Sequence, residues 1–347
     1  MLVDSPPEPR AETAPAPPTR RAVRVLGLLV AVVVLVLVAS ASIAIGAKGL
    51  SVGQVWHGLF HDTGTYGDVV VDERLSRTVL GLLAGAALGL SGAVLQALTR
   101  NPLADPGLLG INAGASAAVV TAITYLGVTS LSGYVWFAFL GAAVVGALVW
   151  FLGGSRGATP VRLALAGTAI SAALYGYLQA VMITDQAALG KMRFWTVGSL
   201  SSATDSTITQ VLPFFLAGTL LALGLARPLN AVALGDDTAR ALGADLDRTR
   251  ALSMLAATVL CGAATAACGP IAFVGLMVPH AVRSFTGPDL RWILPYATVL
   301  SPVLLLGADV VGRVVARPAE LQVGIITALV GGPAFIFLVR RRRTAQP

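Results

Sequence analysis

Long apolar runs separated by short polar breaks pattern almost the whole chain. Such runs occur near 25–47, 78–99, 108–126, 134–153, 163–184, 209–226, 251–268, 270–283, 292–312 and 321–339. A helix needs about 20 apolar residues to cross roughly 30 Å of hydrocarbon, and most of these runs are near that length. Backbone groups in lipid must be satisfied within their own segment, so helices are predicted rather than open strands. The pattern therefore predicts an all-α polytopic membrane protein with about ten transmembrane helices. The irregular place is 251–283, which is short for two full crossings and interrupted by Gly269-Pro270. Two short spans and one tilted or re-entrant element both fit it.

The first run is too long for a signal-peptide core and no convincing cleavage site follows, so it reads as a retained span. Residues 1–24 are rich in Pro, Ala, Glu and Arg and lack apolar periodicity. They read as a disordered cytoplasmic tail that ends in the basic cluster Arg20, Arg21 and Arg24, ahead of one transmembrane domain over 25–343. In the outer segment 48–77, SVGQVWHGLFHD at 51–62 places Val52, Val55, Leu59 and Phe60 on one face of a short interfacial helix. The second span carries Gly81, Gly85 and Gly89 at four-residue spacing, which lets neighbouring helices approach and predicts a central position.

Composition agrees with the pattern: 56% of the residues are hydrophobic and 12% charged, with mean hydropathy +0.80. The net charge is +7, but no basic patch is interleaved with aromatics, so no nucleic-acid partner is predicted. The basic residues act instead as topology markers. With both termini in the cytoplasm, Lys48, Arg74, Arg77, Lys191, Arg193, Arg313 and Arg317 fall outside, and the rest of the 24 Lys and Arg fall inside. The same count places the polar stretch 227–250, with four arginines and four aspartates, in the cytoplasm. Within it, 234–242 fits a short helix opened by Gly235-Asp236-Asp237, with acids in the first turn and Arg240 later.

Candidate chemistry is sparse. The chain has no G-x-x-x-x-G-K-[ST] phosphate loop, no H-E-x-x-H, no G-x-S-x-G and no paired intramembrane aspartates, so neither an enzyme nor a resident cofactor is predicted. Asp309 is the clear acid inside a span, and Arg313, four residues on, fits a local ion pair. His57 and His61 have metal-binding spacing but no third ligand, so no metal site is predicted. His280 reads as a lone histidine that caps or packs a helix end. Cys261 and Cys268, seven residues apart on one helix, lie about 10 Å apart along the axis, too far for a disulfide, and read as packing residues. A transporter without a nucleotide site or an acid relay takes its energy from elsewhere, and an ATPase docked on 227–250 would supply it. On the residues alone, a carrier working by itself and a membrane enzyme stay open.

Several stretches together resemble the permease subunits of ABC importers for iron–siderophore complexes, haem and vitamin B12. They are GAVLQ at 92–96, RNPLADPGLLG at 100–110, GAS at 114–116, WTVGSL at 195–200, Leu229-Asn230, LGDDTARALG at 234–243 and GPIAFVGLMVPHAVR at 269–283. Asp309, Arg313, Glu320, Val323-Gly324 and Gly332-Pro333 continue the match, which spans about 74–339. The resemblance implies ten spans per subunit in the cytoplasmic membrane and a second permease subunit, identical or different. It also implies two cytoplasmic ATPase subunits, an extracytoplasmic binding protein and a metal-chelate cargo, ferric siderophore first and B12 or haem as alternatives. It makes Arg74 and Arg313 outer arginines that receive glutamates of the binding protein, and Asn101 and Leu103 parts of an inner gate. Leu234, Gly235, Asp236, Asp237, Ala239, Arg240, Leu242 and Gly243 become the helix that couples to the ATPase. Two departures, Ser76 and Gln322 where the family commonly has proline, bear on the geometry of docking outside.

Overall fold

The computed structural model describes residues 20–61, 64–128, 130–154 and 160–343, and the described residues form helices and connectors without a strand. In chain order the helices are α1 (Arg20–Ala44), α2 (Val52–Phe60), α3 (Tyr66–Leu98), α4 (Ile111–Tyr125), α5 (Leu131–Gly154), α6 (Pro160–Thr184) and α7 (Gln186–Trp195). They continue as α8 (Asp205–Gly224), α9 (Ala226–Ala233), α10 (Asp236–Ala241), α11 (Leu246–Cys268), α12 (Val274–Thr286), α13 (Leu290–Val315) and α14 (Val323–Arg343). Seven of them, α1, α3, α5, α6, α8, α11 and α13, are long and apolar enough to cross a membrane. The remaining apolar runs form α4, α12 and α14.

The first helix starts at Arg20, so the basic cluster expected to end the tail belongs to a helix; the rest of that tail, residues 1–19, lies outside the described residues. The run 251–283 is two helices. Gly269 leaves α11 with φ 73°, Pro270 cannot continue it, and Phe273 opens α12 at φ 69°. At this turn, motifs distant in sequence meet. Ser199 N–H donates to the Cys268 carbonyl at 2.7 Å, and Gly324 N–H donates to the Gly198 carbonyl at 3.1 Å.

Lipid offers no hydrophobic drive for helix association, so close packing and interhelical hydrogen bonds hold such a bundle together. Helix α3 shows both. Its glycine face lies on α13, where a Cβ at Gly85 would sit 2.6 Å from Pro302 Cα and one at Gly81 or Gly89 would overlap Leu306 or Ser301. One turn on, a Cβ at Gly92 would overlap the Gly275 carbonyl of α12. Ser91 Oγ donates to the Ala257 carbonyl of α11 at 3.0 Å, and Gln96 Nε2 donates to the Leu276 carbonyl at 3.0 Å. The small-residue face thus places α3 at the centre, as its spacing predicts.

Three features were not expected. Helix α3 begins at Tyr66 rather than near residue 78, because the Asp68 carboxylate accepts the Thr65 N–H at 3.0 Å and caps it. Arg74 and Arg77 are therefore helical rather than part of an outer loop. Helix α7 is capped by Asp185, whose carboxylate accepts the N–H groups of Ala187 and Ala188. Helix α9 occupies the start of the polar stretch, and Asn230 fastens it to α13. Its amide donates to Asp289 at 2.7 Å and accepts the Leu290 N–H at 2.9 Å. Hydrogen bonds from Arg291 first, then from Asn230, hold the Asp289 carboxyl down at about 2 against its partial burial.

If the α3–α12 contact is a close backbone approach, Gly92→Val costs about 1–3 kcal/mol of packing. The purified protein should melt several degrees lower in a thermal unfolding scan, whereas Gly307→Ala, where an added Cβ meets nothing within 4 Å, should melt with the parent.

Candidate functional site

One end of α3 runs into the turn that carries Asn101 and Leu103. Arg100 leaves the helix at φ 50°, a left-handed conformation uncommon for a residue with a Cβ. Asn101 N–H then donates to the Gln96 carbonyl at 3.2 Å, and its side-chain oxygen accepts the Leu103 N–H at 2.9 Å. Asp105 accepts the Gly107 N–H at 2.7 Å, and burial pushes its carboxyl above the usual range against that hydrogen bond. Asn101, Asp105, Thr99, Leu165 and Thr168 line a cavity of about 350 Å³ here, and Leu103 is exposed beside it.

Next to this turn stands the polar stretch 227–250. Its short helix is α10, entered through Gly235 at φ 111° and left through Gly243 at φ 78°, so glycines shape both ends. The structure sorts the expected coupling residues by direction. Leu234 and Leu242 are each 64% exposed, and Asp237 and Arg240 project outward and pair at 3.4 Å. Ala239 points inward with Val232 and Leu246 in a small apolar cluster. Asp236 also turns in, toward Arg100 and Arg250. Two exposed leucines thus flank an exposed ion pair on one compact surface.

At the other end of α3, the expectation of exposed outer arginines is corrected. Arg74 is 6% exposed and donates to the carbonyls of Ile43, Ala44 and Lys48. Arg313 is 1% exposed and donates to the Ser42 carbonyl and hydroxyl, each at 2.9 Å. Both cap the end of α1, where a helix leaves carbonyls without partners. The expected Asp309–Arg313 pair exists at 3.1 Å, but Asp309 also receives Arg77 through two nitrogens, with 2.7 Å for the shorter contact. Arg77 donates in turn to Glu320 at 2.7 Å. Arg74, Arg77 and Arg313 line a cavity of about 630 Å³ with Lys48, Glu73 and Glu320, so they open into a recess rather than onto the surface. Ser76, the first departure, donates to Asp205 of α8 at 2.8 Å beside it.

A third feature escaped the sequence reading. Along the otherwise apolar α6, Thr168, Ser171, Tyr175 and Gln179 fall at spacings of three or four residues on one face. Thr168 lines the cavity beside Asn101. Tyr175 and Gln179 line another of about 600 Å³ with Asn112, Ser116 and Thr196. Asn112 accepts the Thr265 hydroxyl at 2.8 Å and the Cys261 thiol at 3.5 Å, which gives one of the two buried, free cysteines a packing role. The spacing was legible; the polar residues were too mild to interrupt a hydropathy run. His57 is engaged with Asp68 at 3.1 Å and stacks on His61, and His280 is buried in α12.

The profile of the FecCD transport family matches residues 32–341. The ferric enterobactin transport system permease protein FepD of Escherichia coli K12 is 47% identical over 327 residues, covering 93% of this chain and 96% of that protein. The hemin transport system permease protein HmuU of Yersinia pestis is 37% identical over 325 residues, covering 92% and 96%. Among solved structures, an inward-facing conformation of a metal-chelate type ABC transporter superposes with TM-score 0.81 at 28% identity, covering 91% of this chain and 99% of that one.

Asp309 neutralises two buried arginines, so its removal should do more harm than the loss of one contact. Asp309→Ala is expected to cost about 3–5 kcal/mol, and Asp309→Asn, which keeps hydrogen-bond acceptance, distinctly less. Thermal melts of the purified variants check the order, and equal melting of both with the parent would remove the network's structural role.

Proposed function

Because the chain belongs to the FecCD transport family, we propose that it is the permease subunit of an ATP-driven importer that moves a ferric-siderophore-type chelate by alternating access. The observation that carries this reading is the near end-to-end likeness to a ferric enterobactin permease, joined to an exposed α10 that fits a docked partner. On this reading α1, α3, α4, α5, α6, α8, α11, α12, α13 and α14 are ten spans of a multi-pass protein in the cytoplasmic membrane. Both termini and α10 face the cytoplasm, in keeping with the distribution of Lys and Arg.

Two ATPase subunits dock from inside, one of them on Leu234, Asp237, Arg240 and Leu242 of this chain. A second permease subunit faces the polar stripe of α6 and closes a path between them. The stripe offers hydroxyls and an amide and no ionisable carboxylate or amine. Such a lining meets the polar oxygens of a chelate without holding it strongly, and passage requires binding weak enough to leave. The path runs from the 600 Å³ cavity to the 350 Å³ cavity, where Asn101 and Leu103 stand as the inner gate. The binding protein docks at the other end, above the recess lined by Arg74 and Arg313. Since both guanidiniums are turned inward, a carboxylate of that protein reaches them only by entering the recess. Closure of the ATPases on nucleotide moves α10 and shifts the helices between inward- and outward-open arrangements. The chain itself makes or breaks no covalent bond in this scheme.

The two docking sides separate in one paired experiment. Leu234→Asp with Leu242→Asp should abolish co-purification of the ATPase and leave binding-protein affinity within twofold. Arg74→Glu should do the reverse, weakening the binding protein about tenfold while the ATPase is retained. If Arg74→Glu released the ATPase, or the leucine pair left it bound, the assignment of the two ends would be wrong.

A further inference from the structure

Helix α10 packs through Ala239 on Val232 of α9 and Leu246 of α11. Through Val232 that packing leads indirectly to Arg100, the residue before the gate turn. One carboxylate of α10 reaches Arg100 directly. Asp236 Oδ1 accepts Arg100 Nη2, and Asp236 Oδ2 accepts Arg250 Nη2 at 2.7 Å. Arg100 uses its Nε as well, donating to the Val232 carbonyl at the end of α9 at 2.8 Å. Asp236, the first residue of α10, thus ties the residue after α3 to the second turn of α11, and Arg100 ties in the end of α9.

We propose that the Arg100–Asp236–Arg250 bridge is the link by which movement of α10 reaches the Asn101–Leu103 turn, with Asp236 acting as a positioning residue rather than as an ATPase contact. This rests on the importer reading. Three observations support it. First, Arg100 is the residue immediately before Asn101, and its φ of 50° lies in a region that costs a non-glycine residue energy unless contacts hold it. Backbone hydrogen bonds of a helix C-cap, Arg100 N–H to the Ala97 carbonyl and Asn101 N–H to the Gln96 carbonyl, hold it, and the side-chain contacts to Asp236 and Val232 anchor the same residue from outside. If Asp236 shifts, Arg100 loses that anchor, and the Asn101 hydrogen bonds to Gln96 and Leu103 lie directly beside the change.

Second, the Arg100–Asp236 arm of the bridge is poorly placed to serve stability alone, whereas Arg250 on the other arm is only 11% exposed. The side chains of Asp236 and Arg100 are 36% and 38% exposed, a setting in which an ion pair contributes little to folding. Its value lies in geometry: two oxygens of one rigid carboxylate are claimed by guanidiniums on different helices. Third, both guanidiniums favour the charged carboxylate. Burial works to raise its pKa, but the hydrogen bonds from Arg100 and Arg250 outweigh burial and hold it below the ordinary carboxylate range. The outward residues of α10, Asp237 and Arg240, pair with each other and leave Asp236 to the inside.

The test uses the complete complex of permease, ATPase and binding protein in proteoliposomes. Its parent carries Leu103→Cys as a reporter; the native Cys261 and Cys268 are buried. Two quantities are read: chelate delivered per ATP hydrolysed, and the change in maleimide labelling at position 103 when ATP is added. Asp236→Asn and Arg100→Gln should each cut delivery per ATP about tenfold and abolish the ATP-dependent labelling change, with the ATPase still bound. Arg100→Lys, which keeps the charge opposite Asp236, should recover part of both. The double variant should be no worse than either single one, since both break the same link. Unchanged stoichiometry and an intact labelling response in Asp236→Asn would overturn the link. So would release of the ATPase, which would make Asp236 a docking residue. A parent that binds no ATPase would instead bring down the importer reading, and the link with it.

Discussion

Close approach of backbones along α3 is the constraint on which the other features depend. In lipid, apolar side chains gain nothing by leaving a neighbour that is equally apolar, so helices associate where small residues let them touch. The glycines at 81, 85 and 89 bring α13 against α3, and Gly92 brings α12 there. That packing sets the two ends of α3 in register with everything they serve. At one end, Arg77 reaches across to Asp309 and Glu320; at the other, Arg100 reaches Asp236. A single helix of 33 residues, about 50 Å long, thus joins the charged recess to the neighbourhood of α10.

The charges at the two ends do different work. Asp309 is wholly buried between guanidiniums, so its removal leaves them uncompensated in low dielectric. Asp236 is partly solvated and shared between helices, so it can be displaced at modest cost. A fixed end at Asp309 and a yielding end at Asp236 are what the proposed drive through α10 requires. Between them, the α6 stripe supplies polar groups without net charge.

Much of the architecture was legible because lipid restricts a spanning segment to few solutions. Each apolar run became a helix, the 251–283 break fell at Gly269-Pro270, and LGDDTARALG marked α10. What stayed hidden depended on partners far away in sequence. A hydropathy run stops at Arg77, yet α3 continues back to its Asp68 cap, and Arg77 stays buried within it because Asp309, 232 residues away, neutralises that arginine. Arg74 and Arg313 looked like surface groups because the open carbonyls at the end of α1 leave no trace in sequence. The direction of each coupling side chain was hidden for the same reason: Asp236 and Asp237 are adjacent and chemically identical, and only the fold turns one inward. The Thr168–Gln179 stripe could have been found by helical spacing alone.

On the proposed function, this chain moves its cargo only when a separate ATPase drives it. Purified permease, its ATPase and its binding protein, sealed in liposomes with a ferric-siderophore chelate outside, measure this directly. ATP supplied on the ATPase side should give chelate accumulation that stops when the nucleotide is replaced by a non-hydrolysable analogue or the binding protein is omitted. Chelate entry by the permease alone, at the same rate with and without ATP, would contradict the account.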